Sequence, residues 1–240
     1  VNRQIHVLAD PAVVLRPAAE RRVAAVLEAE GVRRPYAIVA PRRWFHYRHG
    51  FLPVSWQAPG TDRRFVAVED GLASLADWLV EKRGLYVLFV PMYPGHGQGD
   101  EEVADSIRGR MRNADQARIL QGDYLASELK GVFAAAELVL GVRLHSTILA
   151  TSEGVPSMTL YYQRKGCEYF RLLGMADFAL PISDIQWQQA RVCAERLIEH
   201  REGIRRRLLE RAAHLRSLAG QNVKVVRQVL EGQLGERAIR

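Results

Sequence analysis

Short apolar runs alternate with helix-period segments along most of this 240-residue chain, and that alternation restricts its fold more than any other feature. Tyr36-Ala37-Ile38-Val39-Ala40 and Leu85-Tyr86-Val87-Leu88-Phe89-Val90 are apolar throughout instead of at every second position. Such runs read as strands buried on both faces, as in a parallel sheet. Ala117 to Leu120, Leu138 to Leu140 and Ser157 to Tyr161 read as further strands, and Gln4 to Asp10 as another short one. Between them, helices are expected over Pro17 to Glu30, Thr61 to Lys82, from Asp100, over Tyr124 to Ala136 and over His145 to Ser152. In the second of these, Phe65, Val68, Leu72, Leu75 and Leu79 recur every three or four residues, which places them on one helix face. Gly31 and Gly84 close the first two. Strand and helix in turn, with short connections, predict an α/β fold: a Rossmann-like doubly wound parallel sheet. After Pro181 only helices are expected, including a long basic one from about Arg201 to Leu230. Residues 1–183 are therefore expected to form the anion-binding lobe, and residues 184–240 a helical C-terminal tail packing on it.

Several function classes are disfavoured. There is no GxxxxGK[ST] loop, no GxGxxG after a strand, no HExxH and no GxSxG, which argues against ATP, dinucleotide, zinc-protease and serine-hydrolase chemistry. Cys167 and Cys193 have neither zinc-ribbon spacing nor a disulfide framework, so no metal site is expected and a reducing, cytoplasmic setting fits. No apolar stretch approaches the roughly 20 residues that span a bilayer. The chain opens on Val1 with no secretory pattern, so no export leader is expected and the sequence is expected to begin inside a longer polypeptide. Lysine and arginine number 34 against 27 aspartates and glutamates, an excess that favours anionic partners without saying which. The run Arg205-Arg206-Arg207 with Arg211 reads first as a solvated helix face, with contact to anionic lipid as the alternative.

In a doubly wound sheet, ligands lie beyond the carboxyl ends of the strands. The residues that follow the expected strands there are Arg42 and Arg43, then His96 and Asp100, then Arg143 and His145, then Arg164 and Lys165. They gather cations and a histidine on one edge, suited to a phosphate or carboxylate. Gly141 permits a sharp turn, and His145, Ser146 and Thr147 fall in a helical first turn whose N–H groups and dipole attract anions. The connection from Arg42 to Gly60 carries Trp44, Phe45, His46, Tyr47, Arg48, His49, Phe51 and Trp56. Long loops of this kind are often functional, and aromatic rings with polar tips suit sugar faces. No RNA-binding signature accompanies them, so nucleic acid is not an expected partner.

The segment Ala136-Glu137-Leu138-Val139-Leu140-Gly141-Val142-Arg143-Leu144-His145-Ser146, continued by Gly154-Val155-Pro156 and Tyr161 to Lys165, resembles the polysaccharide pyruvyl transferase family. That family's pattern is an apolar strand ending in glycine, Arg-Leu-His, a helix, a Gly-Val-Pro turn, a strand and a lysine. Here His145 and Lys165 stand 20 residues apart. The resemblance implies one lobe of a glycosyltransferase-B-like architecture, with an upstream lobe or a partner chain completing the cleft. It implies transfer of pyruvate from phosphoenolpyruvate, the donor substrate and not a cofactor, to a sugar of a glycan or lipid-linked precursor as a ketal. His145 and Lys165 would be catalytic, and Arg42, Arg143 and Leu144 would bind phosphoenolpyruvate. The sequence has Arg42-Arg43-Trp44 where other members more often have a single arginine and a proline, which leaves Arg42 and Arg43 both open. Trp44, His46 and Tyr47 are the expected acceptor-binding residues. A cytoplasmic protein with peripheral membrane contact fits such an acceptor. A nucleotide-sugar glycosyltransferase and a non-catalytic polyanion-binding module are the competing readings.

Overall fold

The computed structural model describes residues 8–42, 61–93 and 99–230. Six strands form one wholly parallel sheet in the spatial order β3-β2-β1-β4-β5-β6. They are β1 (Tyr36–Ala40), β2 (Tyr86–Phe89), β3 (Ala117–Ile119), β4 (Leu138–Gly141), β5 (Ser157–Tyr161) and β6 (Ala179–Pro181). Helices α1 (Glu20–Ala29), α2 (Thr61–Arg83), α3 (Asp100–Arg110), α4 (Ala126–Ala134), α5 (Leu144–Thr151) and α6 (Arg164–Leu172) alternate with the strands. Then α7 (Trp187–Glu199) and α8 (Arg201–Leu230) complete the described chain. This is the doubly wound α/β fold that the strand pattern predicts.

The continuous apolar runs have a direct physical cause. Ala37, Val39, Val87, Phe89, Leu138 and Leu140 face one hydrophobic layer with Leu79 of α2, Ile107 of α3, Leu197 of α7 and Leu208 of α8. Tyr36, Ile38, Ala40, Tyr86, Leu88 and Val139 face the other, against Val23 and Leu27 of α1 and Phe133 of α4. With both faces covered, every position of β1, β2 and β4 is buried and none carries a charge or a polar aliphatic group, and each fully buried large side chain contributes about 1.5–3 kcal/mol. Helices α7 and α8 thus help build one of the two layers.

Some boundaries differ from the sequence expectation, for reasons that lie far away in the chain. Helix α1 begins at Glu20 and not Pro17, because the amide of Ala18 donates to Ser127 O at 2.8 Å. Helix α4 begins at Ala126 and not Tyr124, because Glu30 holds the stretch before it. Its carboxylate accepts the amides of Gln121 and Gly122 and the hydroxyl of Tyr124, the last at 2.6 Å. Strand β6 was not expected; it is three residues long and ends on Pro181, which an edge strand tolerates. Of the anticipated opening strand, residues 8–10 are irregular and the remainder lies outside the described residues. Cys193 is buried, and burial raises its thiol pKa. Among the described residues no helix is long and apolar enough to cross a membrane.

Phe89 is fully buried at the centre of this arrangement. Phe89→Ala is expected to destabilise the fold by about 3–5 kcal/mol, the usual range for removing a buried aromatic ring. Urea denaturation measures it, and a loss under 1 kcal/mol would contradict the packing.

Candidate active site

The strand order reverses between β1 and β4, the switch point at which doubly wound sheets open a crevice. Parallel pairing sets Ala40 opposite Gly141, and Val142 N–H extends the ladder to Ala40 O at 3.0 Å. Arg42 and Arg143 therefore each leave the sheet two residues past one aligned pair. Gly141 has no left-handed backbone. Its lack of a side chain matters for another reason: a Cβ there would meet Ser146 Oγ and Thr147 Cγ2, each at 2.5 Å. The glycine lets the first turn of α5 pack directly on the end of β4.

Arg143 precedes α5 and forks onto Asp100, with Nε to Oδ2 at 2.6 Å and Nη2 to Oδ1 at 2.7 Å. Asp100, the first residue of α3, is fully buried, and its Oδ2 also accepts the amide of Met92 at 3.1 Å. The guanidinium of Arg143 lies 5.4 Å from the ring centroid of Tyr93. Arg42 is half-buried, donates to the hydroxyl of Tyr162 and stacks 4.6 Å from its ring centroid. Burial lowers the pKa of Arg42, nearby Arg143 lowers it further, and Asp100 opposes both. The two arginines thus share one electrostatic site.

Their freedom to accept a ligand differs. Detaching Arg143 would leave a buried carboxylate unpaired, at a cost of about 3–5 kcal/mol. Releasing Arg42 gives up one hydrogen bond from its charged guanidinium, about 1.5–3 kcal/mol, and a cation–π contact of about 0.5–2 kcal/mol, but leaves behind only the neutral, partly exposed Tyr162 and no buried charge. Arg42 is thus the more easily released of the two forks, while Arg143 keeps the donors that Asp100 leaves over.

Helices α5 and α6 begin at the carboxyl ends of β4 and β5, with no side-chain cap on either. Lys165 lies within the first turn of α6, which starts at Arg164. Lys165 is exposed and forms no ion pair among the described residues. With Leu144, Tyr162, Gln163 and Gly166 it lines a crevice of about 10 Å³, room for a single water. A larger ligand would lie over its mouth. His145 projects from the first turn of α5 at 63% side-chain exposure and pairs with Asp10, Nε2 to Oδ2 at 3.3 Å. Asp10, Tyr93 and Tyr162 were not singled out from the sequence. Asp100 stood among the residues after the strands without a role. Arg43, Trp44, His46, Tyr47 and His96 lie outside the described residues.

A groove of about 580 Å³ runs between α1 and α4 and is lined by Arg21, Val23, Arg34 and Ala135 among others. Arg34 and Ala135 precede β1 and β4, so this groove lies toward the opposite end of the strands. The convergence of charge, and not cavity size, identifies the site. Among the described residues no group of three or more His, Cys, Asp or Glu side chains could hold a metal ion.

A family profile described as polysaccharide pyruvyl transferase matches residues 1–164. The amylovoran biosynthesis protein AmsJ of Erwinia amylovora is 27% identical over 108 residues, 44% of this chain and 25% of AmsJ. The α,α-trehalose 6-phosphate synthase of Burkholderia multivorans superposes with a TM-score of 0.56 at 16% identity, over 98% of this chain and 51% of its own. The UDP-GlcNAc 2-epimerase of Neisseria meningitidis gives a TM-score of 0.51 at 11% identity, over 85% of this chain and 48% of its own. The fold is that of one lobe of glycosyltransferase-B architecture, with a helical C-terminal tail. The chain spans about half the length of these solved structures and about a quarter of the curated relative.

Asp100→Ala is expected to lower stability by about 3 kcal/mol, the low end for breaking a buried pair because Arg143 keeps some access to water. Asp100→Asn, which retains one acceptor, is expected to lose less. Thermal denaturation of the two variants checks the order, and equal losses would contradict the fork.

Proposed function

This chain belongs to the polysaccharide pyruvyl transferase family, and from that premise we propose that its site handles phosphoenolpyruvate during transfer of pyruvate to a glycan sugar as a cyclic ketal. The observation that carries the reading is the pairing of Arg42 and Arg143 at the switch point of the sheet, one fork pinned and one exchangeable. Phosphoenolpyruvate carries a carboxylate and a phosphate, and planar guanidinium forks match such groups better than point charges do. AmsJ, a relative by sequence, is described as an amylovoran biosynthesis protein, which supports a polysaccharide-modifying transferase.

The chemistry assigns work to each group. A proton must reach the methylene carbon, making the central carbon electrophilic; one sugar hydroxyl attacks it and loses its proton. A second hydroxyl then displaces phosphate from that carbon and closes the ketal, its proton leaving with the released phosphate or to a base. His145 is the acid or base, since an imidazole can both donate and accept a proton. Arg42 takes the carboxylate or phosphate, and Arg143 and Leu144 shape the donor's place. Lys165 stabilises the departing phosphate at the uncapped start of α6. Trp44, His46 and Tyr47 are the proposed acceptor surface. A second lobe, upstream or on a partner chain, is the proposed other wall of the cleft. A lipid-linked acceptor would bring a cytoplasmic enzyme into peripheral contact with a membrane.

Phosphoenolpyruvate at a hundredfold excess over its dissociation constant is expected to stabilise the protein by about 2.7 kcal/mol, and Arg42→Ala to abolish the shift. UDP- and GDP-sugars are expected to give none. Stabilisation by a nucleotide sugar but not by phosphoenolpyruvate, read by thermal denaturation, would establish a nucleotide-sugar glycosyltransferase instead. Salt-sensitive binding to polyanions at large, without product and indifferent to His145→Gln, would establish a non-catalytic binding module.

A further inference from the structure

We propose that Asp10 is the positioning residue of His145: it accepts the Nε2 proton of the neutral imidazole and so leaves Nδ1 as the basic nitrogen turned to the site. The inference rests on the reading of His145 as acid or base. Asp10 divides its carboxylate between two tasks. Oδ1 accepts the amide of Ala12 at 2.8 Å and caps the 3-10 turn Pro11–Val14, while Oδ2 stands 3.3 Å from His145 Nε2. The cap fixes the carboxylate, and the second oxygen is left for the ring.

The turn that carries Asp10 is itself held from two elements remote in sequence. Lys130 of α4 is fully buried, and its Nζ donates to Ala12 O and Val13 O, each at 3.3 Å. From α8, Arg216 Nε donates to Val13 O at 3.3 Å and Asn222 Nδ2 to Ala9 O at 3.0 Å. Lys130 and Arg216 converge on Glu153 Oε1, at 3.1 and 2.9 Å. Behind the pair, Tyr169 shares a 2.7 Å hydrogen bond with Thr151 Oγ1 and feels the charge of Asp10.

Magnitudes separate a positioning role from a stabilising one. An ion pair between partners as exposed as these contributes about 0–1 kcal/mol, whereas enclosing a lysine ammonium carries a desolvation penalty of several kcal/mol. The buried network is therefore not explained by the His145 contact as a source of stability. What that contact can decide is the tautomer, since the partner of one imidazole nitrogen sets which nitrogen keeps the proton. An aspartate does the same for the histidine of the Ser-His-Asp triad.

Asp10→Asn tests this because the asparagine keeps the cap through its carbonyl oxygen and turns an amide N–H toward Nε2, reversing the preference. Asp10→Ser keeps the cap and falls short of the ring. Long-range ¹⁵N NMR of the neutral His145 ring is expected to show Nε2–H in the wild-type protein and a shift toward Nδ1–H in Asp10→Asn. Asp10→Ser is expected to lose the preference. In both variants kcat for pyruvyl transfer is expected to fall about 100-fold, the lower end of a general acid–base contribution. KM for phosphoenolpyruvate is expected to stay within about twofold, because the donor is held elsewhere. An unchanged tautomer with kcat within about threefold of wild type, while His145→Gln is inactive, would overturn the positioning role and leave the proposed function standing. Full transfer by His145→Gln would overturn the acid–base reading itself, and the catalytic meaning of Asp10 with it.

Discussion

The hydrogen-bonded ladder between β1 and β4 aligns Ala37 with Leu138 and Ala40 with Gly141, and the placement of both arginines depends on it. A slip of one residue would turn every β1 side chain to the opposite face. Hydrophobicity alone would not forbid that slip, because all five residues of β1 are apolar or aromatic and both layers are dry. Tyr36 forbids it. Its hydroxyl donates to Val132 O at 2.6 Å inside the layer formed with α4, and on the other face that donor would lose its partner, a penalty of about 1–3 kcal/mol. Gly141 adds a second restraint, since no larger residue lets α5 close on the strand end. One tyrosine and one glycine thus hold in place a register that the apolar run leaves open.

The same double burial explains how much was legible in advance. Strands enclosed on both faces announce themselves as uninterrupted apolar runs, so β1, β2 and β4 could be read almost to the residue, and β5, despite Ser157 and Thr159, from the Gly-Val-Pro turn before it; the switch-point site followed from their order. Helix α8 was equally legible because its period is local. The late starts of α1 and α4 were not, since Ser127 and Glu30 act across about 90 or more residues of chain. Strand β6 escaped because three residues ending in proline carry no period to detect. Asp10 is the instructive omission: Asp10-Pro11 reads locally only as the end of a short strand, and only the fold brings it to His145, 135 positions later.

The charge pattern at the site also refines what a basic composition can mean. Two guanidiniums and one carboxylate leave a single net positive charge there, to which Lys165 adds another at the neighbouring helix start. Had both arginines been unpaired, their mutual repulsion in a partly dry crevice would have amounted to several kcal/mol at contact distance. Asp100 relieves that repulsion and, by gripping only Arg143, makes the pair unequal. In the proposed function, a site built this way would stay folded when empty and still hold one fork ready for the donor's anion. The excess of seven positive charges over the whole chain would be satisfied by any basic surface; it is the buried carboxylate that makes this edge specific.

The C-terminal helices gain a meaning from the same logic. Helix α8 completes a core layer through Leu208 and Leu215, yet Arg216 and Asn222 reach further, to the carbonyls of Val13 and Ala9. Those two donors tie the end of the described chain to its beginning, and the beginning carries Asp10. A tail that served only to cover the sheet would need apolar contacts alone. Spending two polar side chains of α8 and a wholly buried Lys130 on one short turn makes sense when a functional side chain on that turn must be held in place.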